Sequence, residues 1–157
     1  MLAIEGVLAA ISVRSNLDKN GIQDVSDAAG QLRVMPRAEL VVPPNLNRGP
    51  RPAVFAFGFG GDSLETVRAH MLDACEGPDS PRRLTGACVL GKGVVIAVNA
   101  EGNPAPEDIQ GYRVANAEDG AWGLFLGFLW TALFALSITP LRPNLFSYIR
   151  HAELLDD

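Results

Sequence analysis

A chain of 157 residues is long enough for one domain with a real core, while a second core would be cramped. Its 48% apolar and 20% charged residues exclude a disordered chain. The net charge of −5 excludes a protein that coats nucleic acid by charge alone, though not a local basic patch. Two cysteines, Cys75 and Cys88, lack metal-ligand spacing and make no disulfide framework. They read as buried free thiols of a reducing, cytoplasmic compartment. The opening Met1-Leu2-Ala3-Ile4-Glu5 has no basic stretch and carries an acid where a signal peptide is apolar.

In chain order, residues 4–15 read as a buried strand that ends in polar residues, followed by a turn signal at Asp18-Lys19-Asn20-Gly21. Ser12 and Arg14 share one strand face, and Ile11 and Val13 share the other. Ile22, Val25, Ala28 or Ala29, Leu32 and Met35 then repeat at helical spacing, with Asn20 as the expected N-cap and Pro36 as the stop. Pro36 to Pro52 is a proline-rich surface loop with a short extended piece at Leu40-Val41-Val42. Ala53 to Phe57 is a second strand, a glycine turn follows, and Asp62 or Ser63 caps a helix running to about Cys75. Strand, helix, strand, helix predicts parallel pairing.

Two apolar runs, Ala87 to Leu90 and Val94 to Val98, flank Gly91-Lys92-Gly93 as a hairpin. A weak strand is expected at Gly111 to Ala115. Ala121 to Ile138 carries no charge and reads as a core helix packed on the sheet, with Leu126 inside, in preference to a membrane span. A short last helix is expected near Asn144 to Leu155.

Several patterns invite chemistry and have plainer explanations. Gly58-Phe59-Gly60-Gly61 lies between a strand and a helix, but no Gly-Lys-Ser/Thr follows, and Asp62 would repel a phosphate; a turn needing glycine is the simpler reading. His70 and His151 have no third ligand near them in sequence. Arg82-Arg83 reads as part of a solvated loop. Gly61-Asp62-Ser63-Leu64 resembles the nucleophile block of GDSL-type serine esterases, but position 148 is Tyr148, so the Asp-x-x-His block that would include His151 is broken. Helix capping explains Asp62 and Ser63 without catalysis.

The residues Leu8 to Lys19 resemble the Ile-Glu-Val-Lys-Ser segment of PD-(D/E)xK nucleases. More narrowly, they resemble a bacterial domain-of-unknown-function family with that core. The resemblance implies an α/β fold: a mixed central sheet with flanking helices, restriction-endonuclease-like and incomplete at the N-terminus. It covers most of the chain and implies a single domain over residues 1–157, with the prospect of a longer family architecture.

In such nucleases carboxylates hold a divalent ion, usually magnesium, and a lysine positions the attacking water. Carried over, the glutamate falls on Ser12 and the lysine on Arg14. A neutral hydroxyl is a weak ligand for a hard cation, and arginine stays protonated. The upstream aspartate has no counterpart, and Glu5 is the one acid close by on that side. The resemblance therefore implies a degenerate, non-catalytic domain without a cofactor. It would act by binding nucleic acid or protein, with Arg14, Lys19 and Arg33 as nucleic-acid-binding candidates. A homo-oligomer or protein partner is expected to cover the edge of the first strand, with no membrane involved. The alternatives are a magnesium-dependent nuclease completed by a partner chain, and the esterase.

Overall fold

The computed structural model describes residues 7–35, 51–75, 77, 80–106 and 108–138, with side chains as far as 134. Glu5, His151, Leu40-Val41-Val42 and the expected last helix lie outside them. The elements in order are β1 (Ala9–Leu17), α1 (Lys19–Val34), β2 (Ala53–Gly61), α2 (Leu64–Asp73), β3 (Gly86–Val89), β4 (Gly93–Val98), β5 (Gly111–Asn116) and α3 (Ala121–Ile138). The five strands form one sheet in sequence order. β1, β2 and β3 run parallel, whereas β3, β4 and β5 pair antiparallel. This is the mixed sheet with flanking helices that the sequence predicts.

β2 is central to both layers because its side chains alternate between two apolar cores. Val54 and Ala56 join Ile22, Val25, Val67 and Met71 beneath α1 and α2. Ala53, Phe55 and Phe57 join Phe125, Phe128 and Ala132 beneath α3. Phe55 meets Phe125 and Phe128 edge-on at 5.8 and 6.0 Å, the arrangement that ring quadrupoles favour.

Local chemistry sets the element ends. α1 starts at Lys19, and its cap is Asp18, whose Oδ1 accepts from the Gly21 N–H at 2.8 Å. The expected turn at 18–21 is thus the first turn of the helix, and Asn20 lies inside it. Ser63 caps α2, accepting from the Thr66 N–H, which leaves Asp62 outside the helix. α2 ends at Asp73, with Cys75 beyond it. The hairpin turns through Gly91 at φ 76°. At Gly93 (φ 143°) a Cβ would stand 2.2 Å from the Ala115 carbonyl oxygen, so neither position accepts an ordinary side chain.

Two readings need correction. α3 spans the predicted Ala121–Ile138, but it reaches the sheet through one side only. Leu126 is exposed, as are Leu124, Trp130 and Phe134, so a charge placed at Leu126 would face solvent. The helix is apolar all round because composition does not distinguish its two sides, and it has no polar stripe to mark the outer one. No helix among the described residues is long and apolar enough to cross a membrane.

Arg83, expected in a solvated loop, is buried. Its Nε donates to Gly77 O at 3.1 Å, and its Nη1 donates to Ile109 O. Arg33 acts alongside it, donating to the carbonyls of Pro52, Pro81 and Arg83. Together they satisfy the carbonyls of loops that enter β2, β3 and β5.

Both cysteines are free. Cys88 is buried and Cys75 half-buried. Burial pushes the Cys88 thiol up to about 11 and raises Cys75 as well, the latter against weaker opposition from Tyr112 and the two arginines. A thiolate-selective reagent at pH 8 is expected to label Cys88 only on unfolding, and Cys75 far more slowly than a free cysteine. Rapid labelling of both in native protein would contradict this packing. Phe55→Ala should lower stability by about 3–5 kcal/mol in urea unfolding, because it empties the layer under α3.

Candidate functional site

β1 is an edge strand among the described residues, as the expectation of an edge to be covered requires, but most of its residues are not buried as expected. Its parallel register with β2 sets Ile11 beside Phe55, Ser12 beside Ala56, Val13 beside Phe57 and Arg14 beside Gly58. Ser12 and Arg14 therefore face the α1 and α2 layer. Ile11 and Val13 lie on the α3 side, where they remain 43% and 58% exposed because α3 stops short of them.

The alternation breaks just after Arg14. Leu8 O accepts from Ala53 N, so even-numbered residues at the start of β1 direct their backbone groups at β2. By Leu17 the parity has reversed, since Leu17 O accepts from Asp62 N. The shift rolls the Leu17 side chain into the α1 and α2 core, where it is fully buried. Glycine is needed opposite it: a Cβ on Gly58 would lie 2.7 Å from Leu17 Cγ and 2.6 Å from Gly60 O. A Cβ on Gly61 would lie 2.6 Å from Leu17 O. The glycines expected to form a turn are thus the last part of β2, and their role is close approach to β1.

Within this geometry Arg14 pairs with Asp24 of α1 at 3.3 Å, both side chains being substantially exposed. Asp24 is the residue that sequence reasoning missed. Its signal is a helical one: it lies on the turn of α1 that follows directly from β1. Lys19, the first residue of α1, is exposed near the same end of β1. Arg33 is not brought to this group. It lies in the last turn of α1, nine residues beyond Asp24 and so about 13 Å along the helix. Its guanidinium is spent on carbonyls, and burial pulls its pKa down to about 10.

The donors on β1 do not suit a divalent ion. Ser12 offers a hydroxyl, Arg14 a cation, and Asp18 is engaged as a helix cap. No group of three or more His, Cys, Asp or Glu side chains among the described residues converges as a metal site. Glu5 is outside those residues.

A second polar group stands where β2 meets α2. His70 Nε2 lies 3.3 Å from Asp62 Oδ2, and Lys92 Nζ donates to the carbonyls of Gly61 at 2.7 Å and Asp62 at 3.3 Å. The Ser63 hydroxyl bonds Thr66 Oγ1 at 2.7 Å, and no hydrogen bond joins it to His70. The acid and the histidine are together, but the serine is committed to the helix cap. The group fastens the hairpin turn to the head of α2 and lacks an esterase's serine–histidine contact.

No family model matches the chain, and no curated protein does either. Solved structures of NucC do. The E. coli protein in its cAAA-bound form superposes with a TM-score of 0.62 at 15% identity, over 87% of this chain and 54% of that one. The P. aeruginosa protein in its cAAA-bound form gives 0.62 at 17% identity, over 87% and 54%. The apo E. coli protein gives 0.59 at 17%, over 87% and 57%. The chain therefore has the restriction-endonuclease-like fold expected from its first strand, and it spans about half the length of these neighbours.

Gly58→Ala is expected to destabilise the chain by about 1–3 kcal/mol in denaturant, because the added methyl meets both a side chain and a backbone oxygen. Leu17→Ala introduced with it should restore little, since the Gly60 carbonyl remains in the way. A neutral Gly58→Ala would show that β1 and β2 lie further apart than these distances require.

Proposed function

We propose that this chain is a non-catalytic relative of the restriction-endonuclease-like nucleases, one that binds a nucleic-acid phosphate and assembles with another chain. One observation carries the reading. The strand position that resembles the glutamate-and-lysine pair holds Ser12 and Arg14, and Arg14 faces Asp24 across an exposed ion pair. That arrangement suits electrostatic contact with a phosphate, which Arg14 makes by exchanging its partner. Lys19 adds a second cation at the same end of β1. Arg33 takes no part, since its donors are already used.

The narrower bacterial family and the cytoplasmic setting belong to this reading, as does the covering of β1 by a homo-oligomer or a protein partner. One alternative has an observation behind it. The neighbours are about twice the matched length and β1 lies at the sheet edge among the described residues, so a partner chain that supplied carboxylates there would complete a metal-dependent nuclease.

Purified protein incubated with DNA and RNA in magnesium or manganese is expected to leave both intact. In gel-shift or fluorescence titration, Arg14→Ala should weaken binding and reduce the slope of log affinity against log salt by about one. Metal-dependent cleavage by the chain alone, or binding indifferent to Arg14 and to salt, would contradict the proposal.

A further inference from the structure

Two exposed ion pairs stand side by side on the outer face of α1. The helix buries Gly21, Ile22, Val25, Ser26, Ala29 and Gly30. Asp24 and Asp27 fall on the opposite side, three residues apart and so neighbours on the helix surface. Each meets an arginine from outside the helix. Arg14 comes from β1 and stands 3.3 Å from Asp24, and Arg82 comes from the connection between α2 and β3 and stands 3.4 Å from Asp27. All four side chains are between 39% and 61% exposed.

The path of Arg82 is built into α1. Its backbone N–H donates to the Ser80 hydroxyl at 3.3 Å, and its stem lies over Gly30, where a Cβ would stand 3.1 Å from Arg82 Cγ. Gln23 donates to Asp27 at 3.2 Å and so steadies the carboxylate. Glycine inside a helix is destabilising relative to alanine by about as much as the best exposed ion pairs contribute. Stability therefore does not account for the arrangement, because the glycine offsets what the pair adds.

We propose that Arg82 is a second phosphate contact beside Arg14, and that Asp24 and Asp27 are internal competitors which occupy the two guanidiniums until a polyanion displaces them. This rests on the nucleic-acid reading above for the identity of the polyanion, but not for the exchange itself. Carboxylate and phosphate accept from a guanidinium in the same forked geometry, so one replaces the other without moving the arginine. Exposed pairs of this kind are weak and screened by salt, whereas a polyanion brings several phosphates at once and releases its counterions. Two guanidiniums on one helix face contact such a backbone at two points. Both carboxylates remain beside the phosphates, so the wild-type chain binds less tightly than its arginines allow. Arg33 and Arg83 do not join them, because their guanidiniums are engaged with carbonyls.

Asparagine keeps the shape of each acid and removes its charge. In fluorescence titration with a labelled DNA oligonucleotide, Asp24→Asn and Asp27→Asn are each expected to tighten binding by about two- to five-fold. Arg82→Ala should weaken it and lower the salt slope by about one. Glu101→Gln makes the same change in net charge between β4 and β5, at the far side of the sheet from β1, and should leave the affinity unchanged. Circular dichroism verifies that each variant folds. The gain from Asp27→Asn should vanish in the Arg82→Ala background, and that from Asp24→Asn in the Arg14→Ala background. Gains that survive loss of the arginine, or an equal gain from Glu101→Gln, show general charge repulsion and overturn the inference.

Inorganic pyrophosphate separates this inference from the proposed function. In nuclear magnetic resonance the Nε–H signals of Arg14 and Arg82 are expected to move at millimolar pyrophosphate in the wild type. In the variant carrying both asparagines they should move at lower concentration. Signals that stay fixed overturn the inference. Movement with pyrophosphate in a chain that binds neither DNA nor RNA supports the exchange and contradicts the nucleic-acid reading.

Discussion

The parallel pairing of β1 with β2 is the contact on which the rest of the molecule depends. It requires α1 to cross over between them, and so determines which side of β1 that helix covers. It also divides the strand's residues, with Ser12 and Arg14 toward the helix and Ile11 and Val13 toward an uncovered apolar strip. Beyond Arg14 the alternation reverses in both strands while the register holds, which brings Leu17 inside and leaves room opposite for glycine alone. The candidate site and the glycine run are two consequences of one pairing.

Energetics separate the structural arginines from the surface one. Arg83 is buried and Arg33 half-buried, and each donates to the carbonyls of connecting loops. Removing Arg83 would leave the buried Ile109 carbonyl without this donor, a larger loss than the bond itself contributes. The Arg14–Asp24 pair is exposed to water on both sides and adds little to folding. A cation held so loosely is available to an anion from outside.

Much of the fold was legible in the sequence. Helical spacing located α1 and α2, the glycines at 91 and 93 identified the hairpin, and the uncharged run delimited α3 to the residue. The errors share a cause. Whether a strand is central or at an edge, and whether an apolar helix is covered on one side or all round, depends on neighbours that periodicity does not encode. The side chains of β1 and the outer side of α3 therefore read as buried and are exposed. The glycines after Phe57 looked like a turn because their partner, Leu17, is over forty residues away. At the site, Ser12 and Arg14 were found through resemblance, while Asp24 needed the geometry that joins β1 to α1. The resemblance implies Arg33 as well, and only its carbonyl contacts reveal its role.

If β1 is a nuclease-like strand that has lost its carboxylates, its side chains hold no divalent ion. Manganese titration followed by electron paramagnetic resonance measures this on the isolated chain, without reference to any substrate. The signal of free manganese is predicted to track the total added through the micromolar range, for the wild type and for Ser12→Ala alike. One ion bound per chain at micromolar concentration, and released by Ser12→Ala, would contradict it.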